Sequence, residues 1–121
     1  MSESDAVSAR PPRDVDARAF PDELGAACDD ADLVLVEFYT KGCTLCQSME
    51  PVLGVVSRAA DVPVLTVNPQ DDPSLVGDHD ITSVPALLLF RADDGEPEEV
   101  GRLVDGFVGA ERVVEFVEDH R

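Results

Sequence analysis

Cys43 and Cys46 are separated by Thr44 and Leu45, with the chain's only lysine, Lys41, just before them and Pro51 just after. Three chemistries suit a pair so spaced: a metal clip, a structural bridge and a redox couple. A closed zinc site needs four ligands, usually two such pairs or one pair plus paired histidines. Cys28, His79 and His120 are scattered singly, so no metal site is expected. A permanent bridge would close a very small loop and restrain the unfolded chain little. Redox exchange is the favoured chemistry.

Its physical basis is positional. Cys43 follows an apolar run and opens a helical pattern, where unpaired backbone N–H groups and the positive end of the helix dipole favour a thiolate. Cys46 lies one turn further on the same face, able to reach Cys43 yet expected to hold its proton longer. Lys41 either adds positive potential or is an ordinary solubilising charge. Glu37 is a lone carboxylate in the run Leu33-Val34-Leu35-Val36-Glu37-Phe38. Facing inward, it would lie beneath the Cys43 helix with a raised pKa, suited to accept the proton of Cys46. Facing outward, it would be a solvated group on an edge strand.

Such a pair needs a strand to deliver it and a helix to hold it. Residues 32–40 are an apolar run, the pattern of a strand covered on both faces and therefore central in its sheet. From Cys43 the period changes: Met49, Val52, Leu53, Val56 and Ala60 form an amphipathic stripe, with Pro51 inside it predicting a kink. Residues 62–68 and 86–90 predict further strands, and 99–104 a fourth, paired with 86–90 through a turn at Asp94-Gly95. A helix is predicted over 21–28, where Pro21, Asp22 and Glu23 suit a first turn. A second is predicted over 71–80, with Asp72 as N-cap and Pro73 at its first position, and an amphipathic third over 110–120. The order α-β-α-β-α-β-β-α implies an α/β fold with a central mixed β-sheet flanked by helices on both faces.

Charge limits the partners. Twenty-six acids against nine bases give a net charge of −17, a field that repels nucleic acid and anionic membrane. Self-repulsion of this kind reaches ~30 Å at 0.01 M salt but only ~3 Å at 1 M, so the composition is that expected of a halophilic protein. The apolar runs at Leu33–Val36 and Ala86–Phe90 fall far short of the ~20 residues that span a bilayer. Residues 1–19 are polar, acidic and punctuated by Pro11 and Pro12, and are expected to be a mobile tail rather than a secretory leader. One domain over 20–121 and a cytoplasmic location are expected.

The strand LVLVEFYT leading into GCTLCQSMEP, then SVPALLLF and DGFVGAERVVEFV, resembles the thioredoxin family over about residues 20 to 120. That resemblance implies a thioredoxin fold in which Cys43 attacks and Cys46 resolves, forming a redox-active Cys43–Cys46 disulfide and needing no other cofactor. It implies that Glu37 stands for the buried aspartate, Pro51 for the helix-kinking proline, and Pro85 for a cis-proline packed on the disulfide. Val84 would pair with an extended substrate and Gly106 would line its groove; Gly42 and Thr44, flanking Cys43, complete the implied substrate-binding set. Departures are visible too. Gly42 stands where tryptophan is usual, Thr44-Leu45 replaces Gly-Pro, Thr66 occupies a common lysine position and Ala86 follows Pro85 in place of threonine.

The implied activity is reduction of client-protein disulfides by a monomer that a thioredoxin-reductase-type donor recharges. The rivals are a redox-responsive adaptor that docks partners without turnover and a glutaredoxin-like protein acting on mixed disulfides. Cys28 reads as a buried or half-buried spectator.

Overall fold

The computed structural model describes residues 11–121, and the expected tail at 1–10 lies outside the described residues. Five strands, β1 (Arg13–Val15), β2 (Val34–Phe38), β3 (Val64–Val67), β4 (Ala86–Asp93) and β5 (Glu96–Leu103), form one sheet in the order β1-β3-β2-β4-β5. The pairs β1/β3 and β2/β3 are parallel, and β2/β4 and β4/β5 antiparallel. β2 is central and all five of its residues are buried, as its uninterrupted apolar run predicts.

Helices α1 (Phe20–Asp30), α2 (Thr44–Ala59), α3 (Ser74–Asp78) and α4 (Ala110–Glu118) cover both faces. Alternation along β2 sorts the core. Val34, Val36 and Phe38 pack with Phe20, Leu24 and Cys28 of α1 and Leu75 of α3. Leu33 and Leu35 pack with Met49, Leu53 and Val56 of α2 and Val113, Phe116 and Val117 of α4. Each fully buried Leu, Phe or Met contributes roughly 1.5–3 kcal/mol relative to an exposed one. The Asp94-Gly95 turn joins β4 to β5 with both residues at positive φ, 54° and 80°, the backbone of a tight hairpin.

Three expectations are corrected. The ordered fold includes Arg13–Val15 and a 3₁₀ turn at Ala17–Ala19, so those residues are not tail; β1 is short and buries only Val15, which leaves almost no apolar pattern to read. The hairpin strands are longer than 86–90 and 99–104, because their outer halves are exposed and polar and are held by pairing rather than burial. The helix predicted over 71–80 is only Ser74–Asp78. Pro73, expected at the first helical position, is instead the N-cap residue in place of Asp72; the Asp72 carboxylate still accepts the Ser74 N–H at 3.3 Å, and residues Pro69–Asp71 ahead of it form a separate 3₁₀ turn.

Candidate functional site

β2 ends at Phe38, and the chain turns through Tyr39–Gly42 before α2 begins. Gly42 has φ 81°, a left-handed conformation that a side-chain-bearing residue would adopt only with strain, so the backbone of the turn, with open space where a Cβ would stand, explains the glycine. Cys43 is the N-cap of α2: its sulfur accepts the Cys46 backbone N–H at 3.1 Å, and its carbonyl takes that of Gln47 at 3.1 Å. A sulfur in that place meets the open donors of the first turn. Cys43 and Cys46 are joined in a disulfide, with Cα atoms 5.2 Å apart. Cys43 is half-buried and Cys46 only 4% exposed, so an incoming sulfur meets Cys43 first.

Glu37 faces inward, at 2% exposure, and its Oε2 has no hydrogen-bond partner. Burial first, then the negative charges of Glu50 and Asp14, push its pKa up to about 8. It lines a cleft of about 530 Å³ together with Cys46, Lys41, Gly42 and Tyr39. The outward, edge-strand alternative for Glu37 is thereby removed.

The peptide bond before Pro85 is cis, and Pro85 is buried. Ala86, the next residue, pairs with Phe38, which puts Val84 and Pro85 at the sheet end where the cysteine loop emerges. Gly106, at φ 71°, lies against Leu45: a Cβ built there would be 3.5 Å from Leu45 Cδ1. Thr44 is exposed beside Cys43, and Pro51 lies inside α2, where its missing N–H frees the Gln47 carbonyl.

Sequence reasoning missed Asp14, Tyr39, Glu50 and Arg102. Asp14 fell within the presumed tail. Glu50 carried a usable signal, since it follows Cys46 by four residues on one helix and so shares its face. Arg102 donates to the carbonyls of His79 and Asp80, at 2.8 and 3.0 Å, and pins the segment that leads to Val84-Pro85. Leu45 and Phe107, 46% and 48% exposed, leave apolar surface on either side of Gly106. Among the described residues no three His, Cys, Asp or Glu side chains are grouped to hold a metal ion, and no helix is long and apolar enough to cross a membrane.

A mixed five-stranded sheet with a helix-opening cysteine disulfide opposite a cis-proline defines the thioredoxin fold and its two-cysteine site. The thioredoxin family model matches residues 14–118, and the chain belongs to the thioredoxin family. It is similar to thioredoxin from Chlamydia caviae, 30% identical over 89 residues that cover 73% of this chain and 82% of that one. With thioredoxin from the alga Pyropia yezoensis it shares 29% identity over 79 residues, 64% of this chain and 66% of that one. With chloroplastic thioredoxin Y1 of Arabidopsis thaliana it shares 31% over 88 residues, 71% of this chain and 48% of that one. The chain thus spans from about half to about two thirds of the length of several relatives. Among solved structures, a mutant thioredoxin from Halobacterium salinarum superposes with a TM-score of 0.76 at 28% identity, covering 90% of this chain and 89% of that one.

Proposed function

We propose that this protein is a protein-disulfide reductase that works by dithiol–disulfide exchange through Cys43 and Cys46. One observation carries the reading: an accessible helix-capping sulfur, Cys43, is bonded to a buried one, Cys46, beside a buried carboxyl, Glu37. In the reduced protein the Cys43 thiolate attacks one sulfur of a client disulfide; the new bond is Cys43–client, and the other client sulfur leaves and takes a proton. Cys46 then gives its proton to Glu37 or water and attacks Cys43 Sγ. The client's second thiolate leaves, so two electrons pass to the client and the Cys43–Cys46 disulfide remains.

Gly42, Thr44, Val84, Pro85 and Gly106 are the proposed surface for an extended client segment, and Pro51 a structural residue of α2. The cycle uses no bound metal or organic cofactor. A thioredoxin-reductase-type donor would reopen the disulfide. A monomer acting in a reducing, salt-rich cytoplasm fits a net charge of −17 with the reducing direction.

Reduction of a protein disulfide by the chain with dithiothreitol in molar KCl tests the proposal. Turnover that needs both cysteines supports it. Docking of partners without turnover would replace it with the adaptor reading. Turnover that survives loss of Cys46 and depends on a small thiol would replace it with mixed-disulfide chemistry.

A further inference from the structure

Glu37 belongs to a row that crosses the sheet. Asp14 on β1, Thr66 on β3 and Glu37 on β2 are successive register partners, and Leu87 on β4 continues the row. The row is polar on one side of Glu37 and apolar on the other. Thr66 offers no cation, and its hydroxyl is already committed, donating to Asp14 at 2.8 Å. The same Asp14 oxygen takes the Tyr39 hydroxyl at 2.8 Å, which fixes the carboxylate at the mouth of the cleft that Glu37 lines. Glu50, exposed on α2, lines that cleft from the helix side. The charged and titratable groups around Glu37 are therefore Asp14 from β1, Cys46 and Glu50 from α2, and Tyr39 and Lys41 from the loop between β2 and α2. Lys41 is the single cation among them, and it is exposed.

We propose that Asp14 and Glu50 are positioning residues whose charges keep a proton on the buried Glu37 carboxyl and so time the resolving step. The proposal rests on the reductase reading and deepens it. An ionised Glu37 takes the Cys46 proton as Cys46 Sγ bonds to Cys43 Sγ and the Cys43–client bond breaks; Glu37 then returns that proton to water. In the opposite direction, as the electron donor opens the Cys43–Cys46 bond, the protonated Glu37 supplies the Cys46 sulfur with its proton. Two carboxylates lining the cleft of a buried third favour its protonated form; Asp14 and Glu50 are themselves exposed, so salt weakens their effect, and only the Glu37 end of each interaction is shielded from it. The arrangement equips the protein for recharging at neutral pH and lets client reduction quicken as pH rises.

The carboxyl resonance of Glu37, titrated by carbon-13 NMR in molar KCl, reads the arrangement without turnover. Asp14→Asn keeps an acceptor for Tyr39 and Thr66, and Glu50→Gln changes an exposed helical position, so both should fold, as far-UV circular dichroism will show. Each is expected to lower the Glu37 midpoint by roughly half a pH unit or more. The pH profile of single-turnover client reduction should move by the same amount. Glu98→Gln, on the far hairpin, removes the same charge and should move neither. A midpoint unchanged in Asp14→Asn and Glu50→Gln, or equally shifted in Glu98→Gln, overturns the proposal. A midpoint that moves in a protein that reduces no disulfide overturns the reductase reading and with it the timing role, while leaving the proton-holding role of Asp14 and Glu50 in place.

Discussion

Thr66 and Glu37 are partners across β3 and β2, yet the Thr66 hydroxyl is spent on Asp14 and Glu37 keeps an unpaired buried oxygen. Burial of a carboxyl in that position favours its protonated form and pushes its pKa up to about 8.

Stability should therefore depend on pH through Glu37. The folded pKa, about 8, lies above the ordinary 4.5, so between those values the unfolded chain has lost a proton that the folded one retains. Folding stability is undiminished below that window and falls as pH rises through it, by up to about 1.4 kcal/mol per unit. Glu37→Gln should flatten this slope and raise the melting temperature at pH 8 in molar KCl. Parallel slopes for the two proteins would refute the assignment.

Cys46→Ser should leave clients covalently attached through Cys43, because capture precedes resolution and the resolving sulfur is gone. Mass spectrometry of adducts from a defined disulfide substrate checks this. Adducts on Cys46 in a Cys43→Ser protein, at equal rate, would reverse the order of attack. Cys28→Ala should retain full activity.

Arg102→Ala should loosen the chain ahead of the cis bond, since one guanidinium holds both the His79 and Asp80 carbonyls and pairs with Glu99. The side chain is about a third exposed, so the loss expected is about 1 kcal/mol, and Lys should not restore it, lacking the planar fork. Faster amide exchange over residues 81–84 and a higher KM for client, with kcat little changed, are the readouts. Exchange no faster than in the parent protein would deny the staple.

In dilute buffer the net charge of −17 should partly unfold the chain, and molar KCl should restore it. Far-UV circular dichroism across the salt series reports the change. A spectrum indifferent to salt would remove the halophilic reading.

What was legible followed burial. β2 is recognisable because all five of its residues are buried, and α2 because Met49, Leu53 and Val56 repeat with helical spacing. The Cys43-Cys46 spacing declared the chemistry, and helix-terminus physics placed Cys43 at the N-cap. The cis bond at Pro85 came through family resemblance alone, because only ~5–6% of X–Pro bonds in folded proteins are cis and nothing local marks them. β1 escaped because Arg13 and Asp14 are exposed and three residues carry no period. The surroundings of Glu37 escaped with it: a row made by neighbouring strands exists only once their register is fixed.

The third thiol offers a last consequence. Cys28 packs with Phe20, Val34 and Val36, whereas the redox pair opens a helix on the opposite face, so the sheet stands between them as a wall. Burial also pushes the Cys28 thiol up, leaving it in its inert, protonated form. Cys28 is thus walled off from the Cys43–Cys46 pair, and the proposed exchange would leave it a bystander.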